Sequence, residues 1–250
     1  MSRSPKPAYS TRPTITAILV DGAFYQKQAK QLFGKKSPKD RAEELFQYCM
    51  RHIRAVDNTH LYRIFYYDCP PSDRVFYHPL TKKNINLGKS ELFEWATDFH
   101  KELKKKRKLA FRKGEVLESQ NGYMLKKEAL KQICSGKMKV EELTESDFYL
   151  DITQKGVDMR LGIDIASLAN KGAVNQIVLI AGDSDFVPAA KYARREGIDF
   201  VLDPMWHPIS DSLYEHIDGL KECVNKPPEN IKDPLCVIED ETEDSEEKQA

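Results

Sequence analysis

The sequence predicts a three-layer α/β/α domain in which a mainly parallel sheet lies between helices. Two observations lead to this prediction. Short apolar runs with β-branched residues, at residues 16–20 and 176–180, alternate with segments of helical periodicity, and each run stops at a turn that contains Gly and Asp. Strands that alternate with helices are joined by right-handed crossovers, which place helices on both faces of the sheet. A chain of 250 residues, 40% of them hydrophobic, is long enough for one such domain.

The individual elements follow from periodicity and from turn residues. The strand at residues 16–20 ends at Asp21-Gly22, and residues 24–33 then have a helical pattern. Asp68-Cys69-Pro70-Pro71 ends a strand over residues 60–67, because proline cannot donate to a sheet. The other predicted elements are helices over residues 38–55, 90–106 and 157–169, a hairpin around Asn121-Gly122, a strand over residues 176–180, a helix that ends near Gly197 and a strand over residues 198–202.

The ends of the chain differ in composition from its middle. Residues 1–13 are rich in Pro, Ser and basic residues, whereas residues 226–250 form a linker and a tail with seven acids and one lysine in 239–250. Neither end has the apolar content that offsets the entropy of ordering, so we expect both to be disordered. The folded domain is predicted to span residues 14–225, with a variable insertion at residues 72–149.

The overall composition narrows the class of protein. The 39 basic and 39 acidic residues cancel, so the net charge indicates no particular partner. The five cysteines are widely spaced and include no CxxC pair, and we interpret them as reduced thiols. No apolar run reaches the roughly 20 residues of a membrane helix, and the first residues lack a signal peptide, which predicts a cytoplasmic protein. The oligomeric state stays open, a homo-oligomer included.

One segment is strongly basic. Residues 101–113 contain eight Lys or Arg and a single acid, Glu102, with Trp95, Phe99 and Phe111 nearby. Such a surface favours contact with a nucleic-acid backbone, and its central residues are Lys104, Lys105, Lys106 and Arg107. The alternative is the solvated face of a surface helix, on which Leu103 and Leu109 alternate with lysines.

Acidic residues directly follow two of the predicted strands. Asp21 follows residues 16–20, and Asp183 and Asp185 follow residues 176–180. Open parallel sheets bind ligands beyond the carboxyl ends of their strands, so these carboxylates meet at one edge if the two strands are neighbours. Each position also has a structural interpretation, since Asp21-Gly22 alone is ordinarily a turn and Asp183-Ser184-Asp185 is a good helix start.

A further acid lies at the start of the helix over residues 157–169. Asp158 occupies its first turn, where an acid also offsets the helix dipole. Asp164 lies six positions later, about 120° around the helix, so both side chains cannot point squarely at one metal ion. Asp158 is the better candidate ligand.

Clustered carboxylates indicate a cation, because without one they repel each other and raise each other's pKa. Oxygen donors favour Mg²⁺ or Mn²⁺, and such an ion can activate water and neutralise charge on a phosphodiester. No Ser, Cys or His stands in a recognisable nucleophile motif, and the chain has neither a Walker lysine loop nor a GxGxxG fingerprint. The residues therefore indicate metal-dependent hydrolysis of a phosphodiester.

Taken together, the acidic segments are more specific than each one alone. They resemble the LabA-like branch of the NYN family, within the PIN-like nuclease superfamily, over roughly residues 14–220. The segments that carry the resemblance are Ile18-Leu19-Val20-Asp21-Gly22, Lys155-Gly156-Val157-Asp158 with Asp164, Val178-Leu179-Ile180-Ala181-Gly182-Asp183-Ser184-Asp185-Phe186-Val187-Pro188, and Arg195-Glu196-Gly197.

The resemblance implies a PIN-like, Rossmannoid fold and a metal-dependent endoribonuclease. It assigns the metal-binding and catalytic acids to Asp21, Asp158, Asp183 and Asp185, with Asp164 as a fifth metal ligand. It also places Lys155 and Ser184 near the substrate phosphate, with RNA as the partner.

One position departs from the family pattern. Relatives often have Asn three residues after the first Asp, whereas this chain has Phe24. Two alternatives to an endoribonuclease therefore stay open. The first is a nucleic-acid-binding or regulatory protein of the same fold with weak or lost catalysis. The second is a nuclease that acts on DNA, because no reader of the 2′-hydroxyl is visible in the sequence.

Overall fold

The computed structural model describes residues 12–225, apart from Ala55 and Asp57. For residues 116–121 and 152–155 it describes the backbone and not the side chains. Of residues 1–13, which were predicted to be disordered, residues 1–11 lie outside the described residues, as do the predicted linker and acidic tail at residues 226–250.

Strands and helices alternate through most of the described chain. The strands are β1 (Thr14–Asp21), β2 (Thr59–Asp68), β3 (Val75–His78), β4 (Lys83–Asn86), β5 (Leu109–Lys113), β6 (Glu115–Leu125), β7 (Phe148–Lys155), β8 (Gln176–Ile180), β9 (Asp199–Asp203) and β10 (Gly219–Leu220). The helices are α1 (Gly22–Phe33), α2 (Pro38–Arg54), α3 (Glu91–Lys104), α4 (Lys127–Cys134), α5 (Val157–Asn170), α6 (Val187–Arg195) and α7 (Asp211–Tyr214), and a 3₁₀ turn covers Ser184–Phe186.

The main sheet has six parallel strands in the order β10-β9-β8-β1-β2-β5. Helices α1, α2 and α3 pack on one face of it, and α5, α6 and α7 pack on the other. The predicted three-layer α/β fold is therefore confirmed. No helix among the described residues is long and apolar enough to cross a membrane.

The central strand, β1, shows why apolar runs in the sequence predicted the strands of the sheet most clearly. Ala17, Ile18, Leu19 and Val20 of β1 are all fully buried. Ala17 and Leu19 face the core beneath α5 and α6, whereas Ile18 and Val20 face the core beneath α1 and α2. A strand that is covered on both faces needs apolar side chains at every position, so its sequence is a continuous apolar run.

The predicted hairpin at Asn121-Gly122 is wrong. Both residues lie within β6, which pairs antiparallel with β7, more than twenty residues further along the chain. The pairing shifts register between Glu118 and Tyr123, and Gly122 has a φ of +63°. Glycine is common both in turns and in irregular strands, because both can require a residue with positive φ.

The basic run is not a single surface helix. Helix α3 ends at Lys104, and β5 begins at Leu109 as the edge strand of the main sheet. Leu103 is fully buried against the sheet. The segment predicted as an insertion, residues 72–149, thus supplies one strand of the main sheet in addition to the small β3–β4 and β6–β7 sheets.

Candidate functional site

The order of the strands brings two of the predicted acidic turns together. Strand β1 pairs with β8 in parallel, with Val20 opposite Ile180. Asp21 therefore ends its strand beside the turn that leads to Asp183. The later strands β8 and β9 extend the sheet on one side of β1, whereas β2 extends it on the other, so this edge is a topological switch point.

Asp21 is both the last residue of β1 and the N-cap of α1. Its Oδ1 accepts a hydrogen bond from the backbone N–H of Phe24 at 3.2 Å. The following residue must be small, because a Cβ atom at Gly22 would lie 2.5 Å from the carbonyl oxygen of Tyr67 on β2. The pair Asp21-Gly22 thus places a carboxylate at the edge of the sheet and lets α1 start close to the neighbouring strand.

Asp183 and Asp185 lie in the turn after β8. The carboxylate of Asp183 accepts the backbone N–H of Asp185 at 2.9 Å, which shapes the 3₁₀ turn. Phe186 at the end of this turn is buried and holds it against the core, whereas Asp183, Ser184 and Asp185 are exposed. Both carboxylates are therefore open to solvent and to a ligand.

Asp158 reaches the same edge from a different part of the chain. Strand β7 passes into α5 through Gly156, whose φ of +78° favours glycine. Asp158 lies in the first turn of α5 and is exposed. The side chain of Lys155 is outside the described part of the structure, so the predicted phosphate contact of Lys155 stays a prediction.

The charges of these acids act on one another. Burial raises the pKa of Asp21 to about 6, and the charges of Asp158 and Asp68 add to this, although the backbone N–H groups of Phe24 and Ala23 oppose it. The surrounding protein removes part of the hydration of Asp158, although its side chain is exposed, and this raises its pKa, with further contributions from the charges of Asp183 and Asp185. Asp21, Asp158, Asp183 and Asp185 thus form one electrostatically coupled group, which we call the acidic pocket.

The spacing in the acidic pocket differs from that of a closed metal cage. Within the described residues, His52, Asp203 and Cys223 form the one group whose ligand atoms all lie within 4.8 Å of one another. No three carboxylates of the acidic pocket lie this close together in the described structure. Such spacing fits an ion that keeps several of its water molecules, as Mg²⁺ usually does in proteins.

Asp164 is engaged elsewhere. Its Oδ2 accepts the Tyr67 hydroxyl at 2.7 Å and lies 2.9 Å from Nε of Arg112. Arg112 is at the end of β5 and Tyr67 is at the end of β2. The structure therefore assigns Asp164 to an ion pair that joins α5 to the sheet, and we leave it out of the proposed ligands.

The central basic residues lie far from the acidic pocket. The turn at residues 105–108 precedes β5, and the five residues of β5 separate it from the carboxyl edge by about 16 Å. Several of these side chains have local partners: the ammonium group of Lys104 lies over the ring of Phe111, Lys105 pairs with Glu102, and Lys106 pairs with Glu43. Arg107 is exposed in the same turn. The position of Lys104, Lys105, Lys106 and Arg107 thus gives no support to contact with a phosphate in the pocket.

Sequence reasoning missed an acid at the same edge. Asp68 ends β2 and is buried, with its Oδ2 3.0 Å from Nε2 of Gln26 and 3.1 Å from Nε2 of His100. Its Oδ1 accepts the backbone N–H of Cys69 at 2.8 Å. The position of Asp68 after a buried strand was a usable signal, but its pairing with His100 depends on tertiary structure.

An aromatic pair covers the backbone beside the acidic pocket. The ring of Phe24 packs edge-on against His207, with the centroids 5.7 Å apart. A Cβ atom at Gly182 would lie 2.6 Å from the Phe24 ring and 2.9 Å from the His207 ring, so a larger residue before Asp183 would force both rings to move. Burial, and then the charge of Lys27, lower the pKa of His207, which favours its neutral ring. Nothing in the sequence singled out His207 for this place.

Comparison with known proteins identifies the class. The model of the NYN domain matches residues 77–213, more than half of the chain, and the chain belongs to this family of PIN-like nucleases. The matched range includes Asp158, Asp183 and Asp185, whereas Asp21 lies before it. No curated protein matches the chain significantly. A solved structure of a protein of unknown function from Vibrio parahaemolyticus is similar, with a TM-score of 0.46 and 12% identity over 87% of this chain and 97% of that chain.

Proposed function

We propose that this protein is a metal-dependent endoribonuclease whose acidic pocket binds Mg²⁺ or Mn²⁺. The observation that carries the proposal is the electrostatic coupling of four carboxylates from three separate segments, at the carboxyl edge between β1 and β8. Family membership makes a nuclease the expected activity. The choice of RNA depends on the resemblance to the LabA-like branch.

The donor set fits this kind of ion. All four side chains offer carboxylate oxygens, which Mg²⁺ and Mn²⁺ prefer over the softer donors of zinc sites. None of the ion pairs within the described ranges neutralises Asp21, Asp158, Asp183 or Asp185. A bound divalent ion would remove the repulsion that raises the pKa values of Asp21 and Asp158.

The chain's own residues then have distinct roles. Asp21 is the most enclosed of the four acids and is held by the N-terminus of α1, so it fixes the base of the pocket. The exposed Asp158, Asp183 and Asp185 leave the mouth open to a polyanion. When bound, a divalent ion lowers the pKa of water and offsets charge on the scissile phosphate.

The rim of the pocket offers contacts for a nucleic acid. Phe24 and His207 provide ring surfaces on which a base can stack, and stacking on aromatic side chains is usual for single-stranded nucleic acids. Lys27 lies close enough to His207 for its charge to act on that ring. Ser184 is exposed between two pocket acids, which supports its proposed contact with a phosphate.

The same aromatic pair also favours a second candidate function. Phe24 stands where relatives often have Asn, and it brings a hydrophobic ring to the backbone before Asp183. A pocket without that polar side chain can still bind a nucleic acid but lose efficient turnover. The second candidate is therefore a nucleic-acid-binding protein of this fold with weak catalysis.

The decisive experiment compares cleavage of matched single-stranded RNA and DNA by purified full-length protein with Mg²⁺, with Mn²⁺ and with chelator. We expect cleavage of RNA that requires metal and is abolished in Asp185→Asn without loss of folding, as monitored by circular dichroism. Asp199→Asn is the matched control, because Asp199 is exposed at the opposite, amino end of β9 and should leave cleavage unchanged.

Each outcome distinguishes the candidates. Full activity in Asp185→Asn, or cleavage with chelator present, would contradict the proposed site. Preferential cleavage of DNA would show that DNA, and not RNA, is the substrate, and it would leave the proposed metal site unchanged. Salt-sensitive RNA binding without turnover under either metal would support the second candidate.

A further inference from the structure

A second group of metal-ligating side chains lies apart from the acidic pocket. One ligand atom each of His52, Asp203 and Cys223 lies within 4.8 Å of the other two. The side chains of His52 and Asp203 have no exposed surface, and Cys223 is half-buried. These residues come from α2, from the end of β9 and from the segment after β10, so the fold alone brings them together.

The group is on the opposite side of β8 from Asp21. Asp203 ends β9, whose neighbour β8 separates it from β1. Its neighbour Met205 packs in the core beneath α1 and α2, whereas Asp158 reaches the pocket from α5 on the other face. The two groups are therefore separate, and their donors differ: the pocket offers oxygen alone, and this group offers nitrogen, oxygen and sulfur.

Local contacts hold two of the three side chains in place. Oδ2 of Asp203 lies 2.8 Å from Nε2 of His52 and accepts the Tyr48 hydroxyl at 2.7 Å. Oδ1 of Asp203 accepts the backbone N–H of Met205 at 2.9 Å. The second ring nitrogen of His52, Nδ1, is buried with no hydrogen-bond partner. The nitrogen that faces Asp203 is Nε2, so an ion in this group would be bound by Nε2 in place of its hydrogen bond to Asp203.

The third side chain is also fixed by its surroundings. The carbonyl oxygen of Cys223 accepts a hydrogen bond from Arg51 at 3.3 Å, and Lys221 donates to the carbonyl oxygen of His52 at 3.2 Å. Trp206 donates to the carbonyl oxygen of Val224 at 3.0 Å. These bonds hold the segment around Cys223 against α2, and they present its thiol to His52 and Asp203.

The chemistry of the donors selects the ion. Imidazole, carboxylate and thiolate together are a donor set typical of zinc, which takes bond lengths of about 2.0–2.3 Å to such ligands. In a tetrahedral site these lengths correspond to ligand atoms roughly 3.3–3.8 Å apart, so only small movements are needed here. A carboxylate and a thiolate also neutralise a divalent charge in a buried place.

We propose that His52, Asp203 and Cys223 bind a zinc-like divalent ion that fastens the segment after β10 to α2 and β9. Three protein ligands leave a fourth position for water, since Cys223 lies at the surface side of the group. The ion would join residues 171 positions apart in the chain (from 52 to 223), so its main effect would be on stability.

The test uses Co²⁺ as a spectroscopic substitute for Zn²⁺ in purified, metal-stripped full-length protein. We expect one equivalent of Co²⁺ to produce a thiolate-to-cobalt charge-transfer band and the visible bands of a four-coordinate site, both removed by added Zn²⁺. Cys223→Ser should lose the charge-transfer band. Cys134→Ser is the matched control, because Cys134 is exposed at the end of α4 and should leave the band intact.

A second readout is thermal stability. Zn²⁺ should raise the Tm of the natural protein, of Cys134→Ser and of Asp185→Asn, but not that of Cys223→Ser, because only ligand binding to the folded state stabilises it. Absence of a thiolate band in the natural protein, or its persistence in Cys223→Ser, would overturn the proposal. Asp185→Asn keeps the two proposals distinguishable, since it should lose nuclease activity and keep the band.

Discussion

Four neighbouring strands are each followed by or end in an acid at the carboxyl edge of the sheet. These acids differ in their burial and in their hydrogen-bond partners. Asp68 and Asp203, after β2 and β9, are buried, and each contacts a histidine and a backbone N–H. Asp21 and Asp183, after β1 and β8, accept only backbone N–H groups of their own turns within the described structure. Asp68 and Asp203 are bound by side chains of other elements and so contribute to the stability of the fold, Asp203 also as a proposed ligand of the second ion, whereas Asp21 and Asp183 have no such side-chain partner and mark the open pocket proposed for the catalytic cation.

The largest expected effect compares Asp203 with Asp183 at the ends of adjacent strands. Asp203→Ala removes the acceptor of three buried contacts, and we expect a loss of about 3–5 kcal/mol in the free energy of unfolding. Asp183→Ala removes one exposed turn hydrogen bond and should cost about 1 kcal/mol or less. Urea denaturation in the presence of chelator measures both losses. Equal losses in the free energy of unfolding would contradict the distinction between buried, partnered acids and exposed pocket acids.

The next effect compares two acids of α5. We expect Asp158→Asn to lower kcat/KM for metal-dependent cleavage more than about 100-fold, since even the outer partners of metal ligands typically contribute about 10–100-fold. Asp164→Asn weakens an ion pair with Arg112 and should change kcat/KM only a few-fold. Steady-state cleavage assays at saturating Mn²⁺ measure both variants. If Asp164→Asn lowered kcat/KM more than Asp158→Asn does, Asp164 would have to be counted among the metal ligands.

The smallest effect concerns the pH dependence of stability at Asp21. Its pKa is about 6 in the folded protein, against a usual value of 3.8. The folded state therefore holds this proton more tightly, so ionised Asp21 destabilises the fold above pH 6 and the cost disappears below about pH 4. The shift of about two units sets an upper limit near 3 kcal/mol, and partial exposure of the side chain reduces the expected value to about 1–2 kcal/mol.

Asp21→Asn isolates this cost, because Asn keeps the N-cap acceptor for α1 and removes the charge. Without metal, the variant should unfold at a higher urea concentration than the natural protein at about pH 7.5, and at the same concentration at about pH 4. Added Mg²⁺ should narrow the difference at the higher pH, because the ion stabilises only the protein that binds it. A gain that is constant with pH would contradict the role of this carboxylate's charge.

Much of the fold was predictable because its strands are covered on both faces. The runs that form β1 and β8 are apolar at almost every position, and the residue after each is constrained by a turn. The acids at Asp21, Asp183 and Asp185 followed from the same rule, since they come directly after those strands. Asp158 was found through the resemblance to a family, because an acid in the first turn of a helix has an ordinary structural explanation.

The failures have a common physical reason. The hairpin at Asn121-Gly122 was wrong because the same glycine conformation serves a turn or an irregular strand, and only the distant partner β7 decides between them. The alternative of a surface helix for the basic run was open because lysines tolerate any exposed position, whereas the burial of Leu103 and the pairing of β5 were set by the sheet.

The sequence by itself determined the alternation of strands and helices and the placement of acids after strands, because both depend on neighbours within a few residues. Tertiary structure alone decided which acids are paired. His100 reaches Asp68 from α3, Arg112 reaches Asp164 from β5, and His52 with Cys223 reaches Asp203 from α2 and from the segment after β10. These partners are 20 or more positions apart in the chain, and side-chain distances across such separations are set by the packing of whole elements.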